Sequence, residues 1–182
     1  MKFERMTAMF GLLALMACGD SDGVFTDPDA CVSGNLAAGR TYTKSVSPTA
    51  PYTDVDDKEF TDGKKAGHFA NDASSFGFQH GANTLAVNVD VDLGSALRFN
   101  VVRLNSGAAI DRYTAAALNV LASNDKQTWI PVTRVENPGS LFDLWADFDS
   151  IRARYVRFNV EARTGCVDCD WLFLAEGEVQ CR

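Results

Sequence analysis

A strict alternation of apolar and polar residues in LAVNVDVDL, residues 85–93, is the strongest constraint on the fold. Every second residue from Leu85 to Leu93 is Leu or Val, whereas the residues between them are alanine, asparagine or aspartate. Because side chains alternate between the two faces of a β-strand, this segment has one apolar face and one polar, solvent-exposed face. A fold that contains such a strand needs a second layer to cover the apolar face.

Short runs of the same kind recur along the chain and are separated by turn residues such as Asn137-Pro138-Gly139. They span residues 42–47, 97–104, 118–123, 129–135, 141–148, 154–162 and 171–180. About eight short antiparallel strands without a convincing helix predict an all-β fold, a β-sandwich of the jelly-roll type. The alanines of residues 113–122 would also suit a helix.

The first residues are typical of an export signal. Two basic residues precede an uncharged run, residues 6–17, that is too short to span a bilayer. LMAC, residues 15–18, resembles a bacterial lipobox, which implies a lipoprotein anchored to the cell envelope through a lipid on Cys18. Gly19 resembles the sorting signal for the outer membrane. The alternative is an ordinary signal peptide with an incidental cysteine.

We therefore expect a signal peptide at residues 1–17, a flexible acidic tether at 18–30 and one folded domain at 31–182. The tether contains four aspartates and few large apolar side chains, so burial cannot offset the entropy of ordering it. Loss of the leader, with two basic residues and one acidic residue, changes the net charge from −7 to −8. Such an acidic surface disfavours binding to nucleic acid and to anionic headgroups.

Four cysteines remain in the exported domain: Cys31, Cys166, Cys169 and Cys181. An oxidising environment favours two disulfides, for which three pairings are possible. The nested pairing, Cys31 with Cys181 and Cys166 with Cys169, is favoured because the first two stand at the ends of the domain and the others are close neighbours. A zinc site lacks further ligands at suitable spacing, and a redox pair would need a helix after Cys169 that the sequence does not indicate.

Four motifs occur in an order that resembles the discoidin family, also called coagulation factor 5/8 type C or galactose-binding-like domains. They are VDLGSALRFNVVRL (91–104), NVLASNDKQTW (119–129), ARYVRFNVEA (153–162) and LFLAEGEVQC (172–181). The resemblance covers about residues 40–181, and cysteines at both ends of the domain are common in the family. One departure is Lys126, which stands where glycine usually follows the aspartate of the second motif.

The resemblance implies a structural calcium between an early loop and the last strand. Asp62 and Glu176 would supply carboxylates, and main-chain oxygens near Phe60, Lys64 and Ala175 would complete the shell. Calcium takes six to eight oxygen ligands, several of them from the main chain. The alternative is a solvated acidic turn and an exposed glutamate.

In this family the recognition residues lie on loops at one end of the sandwich. The candidates in these loops are Phe78, His80, Asn105, Arg112, Tyr113 and Trp171. An exposed ring covers the apolar face of a sugar, and polar groups fix its hydroxyls. For Phe78 the alternative is a core position beneath a loop, and for Trp171 it is open whether the ring faces the core or the ligand.

The sequence contains no H-E-x-x-H, P-loop or dinucleotide-binding motif. We therefore predict a protein that is not an enzyme, a cell-surface binding module whose most favoured ligand is carbohydrate. The alternative is a protein-interaction or adhesion domain, an accessory subunit of an envelope complex. A hydrolase is the third hypothesis.

Overall fold

The computed structural model describes residues 30–67, 73–107, 113–139 and 141–182. Its strands are β1 (Tyr42–Lys44), β2 (Phe76–Gln79), β3 (Ala86–Asn105), β4 (Ala115–Ser123), β5 (Ile130–Glu136), β6 (Asp143–Ala162), β7 (Trp171–Leu174) and β8 (Glu176–Gln180). Two 3-10 turns, Val55–Asp57 and Glu59–Thr61, lie between β1 and β2. Within the described ranges, no helix has the length and apolar character needed to cross a membrane.

All strand pairs are antiparallel, and the predicted β-sandwich is confirmed. The larger sheet has the order β1-β3-β6-β4-β5, with β8 also paired to β3, and the smaller sheet is β2-β7. Strands β3 and β6 are each 20 residues long. Register shifts near Asp92 and Phe99 divide their pairing into a part flanked by β1 and β4 and a part flanked by β8.

Several predicted strand boundaries were wrong. Gly94 was predicted as a turn, but it lies in an irregularity within β3, with a φ of 84° and its N–H donating to Asp92 Oδ1 at 2.8 Å. The predicted strands on its two sides are therefore one strand, and the two predicted strands at 141–162 are likewise one. The segment at 171–180 is divided at Ala175, β2 was missed, and residues 115–123 form a strand rather than a helix.

The alternation in residues 85–93 places one face of β3 in the core. Val87, Val89 and Val91 are fully buried there. On the opposite face, Asp90 accepts a hydrogen bond from Arg157 Nε at 2.6 Å, and Asp92 accepts one from Arg154 Nε at 2.9 Å. A fully buried Val or Phe stabilises the fold by about 1.5–3 kcal/mol relative to an exposed one, so this apolar face is a major source of stability.

Both predicted disulfides are present. Cys31 is bonded to Cys181 across a sequence separation of 150, and Cys166 is bonded to Cys169. The start of the domain is also hydrogen bonded to β8, because Leu36 N donates to Val179 O at 2.7 Å. The predicted lipidation site at Cys18 and the predicted leader lie outside the described residues.

The turn between β4 and β5 shows how the departure at Lys126 is accommodated. Lys126 has a φ of 62°, a left-handed conformation that glycine adopts at little cost and other residues adopt at about 1–2 kcal/mol. Asp125 Oδ1 accepts hydrogen bonds from the N–H groups of Gln127 and Thr128, both at 2.8 Å. The Trp129 indole N–H donates to Lys126 O at 3.2 Å, so this ring packs against the turn.

We expect Lys126→Gly to be more stable than Lys126→Ala by about 1 kcal/mol. Both variants lose the ammonium group, which lies 5.3 Å from the centre of the Tyr155 ring, so their difference isolates the backbone conformation. Urea denaturation of the two variants measures it. Equal stabilities would show that the left-handed conformation at this position carries no cost.

Candidate ligand-binding loops

The pairing of β2 with β7 determines which aromatic residues near the loops are exposed. Phe78 lies opposite Leu172, and Gln79 lies opposite Trp171. Phe78 is only 1% exposed, and its ring centre lies 5.7 Å from that of Phe76 in the core. Phe78 was thus wrongly predicted as a surface residue, because the register of β2 turns its side chain inward.

Four rings form an aromatic patch on the outer face of β2 and β7: Tyr52, Tyr113, Trp171 and Phe173. Phe173 is 1% exposed and lies beneath the others, with ring centres 4.9 Å from Tyr52, 5.6 Å from Trp171 and 6.0 Å from Tyr113. A Cβ at Gly77 would lie 2.7 Å from Phe173, so glycine is what allows this ring to cross β2. The other three rings are half-buried and form a rigid, partly exposed apolar surface.

The structure therefore brings together two predicted residues, Tyr113 and Trp171, and adds two that were not predicted. Phe173 could have been found from the sequence, because it lies two residues after Trp171 and so shares its face of the strand. Tyr52 could not, because its contact with Trp171 joins distant segments, at 5.2 Å between ring centres.

Asn105, also predicted at the ligand surface, is a structural residue. It is 4% exposed, and its Nδ2 donates to Asp143 Oδ1 at 3.0 Å. Its Oδ1 accepts a hydrogen bond from Ala66 N, also at 3.0 Å. Because both ends of the amide are bonded within the protein, Asn105 holds the early loop against the end of β3 and is not available to a ligand.

His80 was predicted as an exposed polar group, but it is only 8% exposed. Its ring Nδ1 lies 2.9 Å from Asn83 O, and Asp170 O accepts hydrogen bonds from the main-chain N–H groups of His80 and Gly81. These bonds attach the turn after β2 to the residue before β7, which explains the burial. Arg112, the remaining candidate, lies outside the described residues.

The Cys166–Cys169 disulfide closes a short loop directly before Trp171. Val167 at the tip of this loop is 80% exposed. A concavity of about 370 Å³ separates the loop from the turn after β2. The disulfide restricts the conformations of the chain directly before Trp171, so this loop is held in place next to the aromatic patch.

The predicted calcium ligands Asp62 and Glu176 lie close to each other. Glu176 is 1% exposed, and its carboxylate accepts hydrogen bonds from Gly63 N at 3.0 Å and Asn35 Nδ2 at 3.2 Å. The pKa of Glu176 is raised to about 7, chiefly by burial and to a smaller extent by the nearby charges of Asp62 and Glu178. The alternative of an exposed glutamate is therefore wrong.

The surroundings of this pair bear on whether calcium would fit. Phe60 and Ala175, predicted to lie near main-chain ligands, are fully buried. Lys64 Nζ lies 2.8 Å from Asp62 Oδ2 on the exposed side. Among the described residues, no Lys or Arg forms an ion pair with Glu176, and no three His, Cys, Asp or Glu side chains form a metal cluster. The two carboxylates fit a calcium ion only if main-chain oxygens supply most of its ligands.

The match to a known family covers most of this architecture. Residues 42–170 match the F5/8 type C domain family. The chain belongs to this family, as its four motifs predicted. No functionally curated protein is significantly similar to the chain in sequence.

Solved structures with the same fold include several modules that bind sugars. Chitosan-binding module 1 of a chitosanase/glucanase from Paenibacillus sp. IK-5 is 23% identical, with a TM-score of 0.58 over 80% of this chain and 98% of the module. A fucose-binding module from Streptococcus pneumoniae is 20% identical, with a TM-score of 0.61 over 82% and 96%. The lectin domain of lectinolysin complexed with Lewis B antigen is 21% identical, with a TM-score of 0.61 over 82% and 97%.

Proposed function

We propose that this domain binds carbohydrate without catalysing a reaction, and that the aromatic patch is part of its binding surface. The observation that carries the proposal is the partly exposed Trp171, supported by buried Phe173 and flanked by Tyr52 and Tyr113. Membership of the F5/8 type C family supports it, as do similar folds in modules for chitosan, fucose and Lewis B antigen.

The patch suits a sugar because its rings are held in place before a ligand arrives. Trp171 is fixed by pairing to β2, by its contact with Phe173 and by the disulfide loop before it. A rigid ring loses little conformational entropy on binding, so more of the contact energy contributes to affinity. Polar main-chain and side-chain groups of the surrounding loops would then bind the hydroxyls.

We expect Trp171→Ala to weaken glycan binding at least tenfold, which corresponds to about 1.4 kcal/mol. Trp171→Phe should retain part of the affinity because it keeps an aromatic face. Ile130→Ala is the control, since Ile130 is an exposed apolar residue on β5 outside the patch. A glycan array probed with the full chain in calcium identifies the sugar, and calorimetry with that sugar compares the variants.

Two results would count against this function. If no sugar is retained at high protein concentration while crosslinking recovers a specific protein, the domain is an interaction or adhesion module. If Trp171→Ala binds the identified sugar as tightly as the wild type does, the aromatic patch is not its site.

We also propose that Asp62 and Glu176 bind a structural calcium. The support is the burial of Glu176, its closeness to Asp62, and the absence of an ion pair between Glu176 and any Lys or Arg of the described residues. A bound calcium would neutralise the two carboxylates and fix the early loop to β8.

We propose, further, that the chain is lipid-anchored at Cys18 and displayed at the bacterial envelope, in the outer membrane. The LMAC sequence at residues 15–18 and the acidic tether that follows it support this location. We expect labelled palmitate to be incorporated into the wild type and not into Cys18→Ser. Equal labelling of the two proteins would rule out lipidation at this cysteine.

A further inference from the structure

An exposed tryptophan stands on the first half of β6, away from the aromatic patch. Trp145 is 56% exposed and lies opposite Arg103 of β3, which in turn lies opposite Glu178 of β8. A shallow concavity of about 210 Å³, here called the Trp145 concavity, is lined by Lys65, Arg103, Asp143, Trp145 and Arg182. Its side chains project from paired strands and from the segments that flank them.

The charges around the Trp145 concavity are unequally compensated. Lys65 Nζ lies 3.3 Å from a carboxylate oxygen of Glu178 and 3.6 Å from one of Asp143, so its charge is largely neutralised. Arg103 forms no ion pair within the described part of the chain, and its buried Nε has no hydrogen-bond partner there. Arg182 donates to the neutral Gln180 Oε1 at 3.2 Å.

We propose that the Trp145 concavity is a second glycan site, specific for sugars that carry carboxylate or sulfate groups. Guanidinium groups bind carboxylate and sulfate oxygens in a bidentate manner, and Arg103, which forms no ion pair within the described part of the chain, lines the concavity. The exposed indole of Trp145 would cover the apolar face of the sugar ring. An acidic ligand fits here although the chain as a whole has a net charge of −7.

The lining of the concavity favours a glycan over a protein partner. Trp145 is the single apolar side chain among the five that line it. The centre of a protein interface is normally a wide apolar area depleted in charged residues, which this surface does not offer. A ring with charged neighbours instead matches one or two acidic sugar units.

The test uses the full chain with two anionic polymers, oligogalacturonate for carboxylates and dextran sulfate for sulfates, and neutral dextran as the reference. We expect at least one anionic polymer to bind the wild type, and to bind it more weakly as the salt concentration is raised. The same polymer should bind Trp145→Ala and Arg103→Gln at least tenfold more weakly than the wild type. Arg103→Lys should restore only part of the affinity, because an ammonium group lacks the bidentate geometry.

Ile130→Ala, at an exposed residue of β5 outside both surfaces, is the control that we expect to bind the anionic polymers like the wild type. Trp171→Ala tests whether the aromatic patch contributes to this binding. Thermal melting of each variant shows that the fold is retained. The proposal is overturned if neither polymer binds at millimolar sugar concentrations, or if Trp145→Ala binds as tightly as the wild type. It is equally overturned if Trp171→Ala alone abolishes binding, or if an acidic peptide binds Trp145 in preference to both polymers.

Discussion

Replacement of Cys31 and Cys181 together by alanine is expected to lower the free energy of unfolding by about 5 kcal/mol. The disulfide joins residues separated by 150 positions, so it restricts nearly the whole unfolded domain. The native contacts around it remain without the bond, because Leu36 N still donates to Val179 O and Val179 N to Asn35 Oδ1. Since domains of this size are stable by only about 5–15 kcal/mol, the variant should be close to its unfolding threshold.

The matched control is replacement of Cys166 and Cys169, whose sequence separation is 3. The same chain-entropy argument gives about 2 kcal/mol or less for this short loop. Urea denaturation without reductant compares both variants with the wild type. A loss from the Cys31–Cys181 variant no larger than that from the control would contradict the view that the bond acts on the unfolded state.

The sequence was most informative where a pattern is local. Alternation in residues 85–93 predicted a strand with one buried face, and Val87, Val89 and Val91 are fully buried. It was least informative about where strands end. Gly94 has the residue type of a turn, yet β6 pairs on both sides of it, so β3 continues. Pairing with a distant strand overrides the local turn signal, and no local pattern contains that information.

In the candidate site, too, local sequence patterns were informative and contacts between distant segments could not be predicted. Phe78 and Trp171 are both aromatic residues next to loops, and only the register of β2 against β7 decides that the first is buried and the second partly exposed. Asn105 and His80 were selected as polar loop residues that could bind hydroxyls. Asn105 is instead bonded to Ala66 and Asp143 in distant segments, and the His80 ring is buried with its Nδ1 against Asn83 O of the following turn. Residue type indicates which ligand contacts a side chain could make, whereas tertiary contacts decide whether its polar groups are free to make them.

The second large effect is expected at Glu176, whose replacement by glutamine should raise stability at pH 8 in excess chelator. The folded protein raises the pKa of this carboxyl from 4.5 to about 7, chiefly by burial. The folded state therefore binds the proton more tightly than the unfolded state, and stability falls as the pH rises from about 4.5 through 7. At 1.36 kcal/mol for each pKa unit, ionised Glu176 costs the wild type about 3 kcal/mol at pH 8.

Glutamine avoids that cost but cannot accept hydrogen bonds with both ends of its side chain. It should lose the bond from Asn35 Nδ2, worth about 1 kcal/mol, so the net gain at pH 8 is about 2 kcal/mol. At pH 5 the wild-type carboxyl is itself largely neutral, and Glu176→Gln should then be no more stable than the wild type. Urea denaturation at the two pH values measures both differences.

At pH 8, calcium should make the wild type more stable than Glu176→Gln, because the ion compensates the charge of a carboxylate and binds an amide only weakly. Glu59→Gln is the matched control. Burial and the nearby Asp54 also raise the pKa of Glu59 to about 7, but Glu59 is not a proposed ligand. Its replacement should change the dependence of stability on pH and preserve the calcium response, whereas Glu176→Gln should abolish that response. Wild-type melting that is identical in chelator and in millimolar calcium would eliminate the calcium site, and a calcium response that survives in Glu176→Gln would place the ion elsewhere.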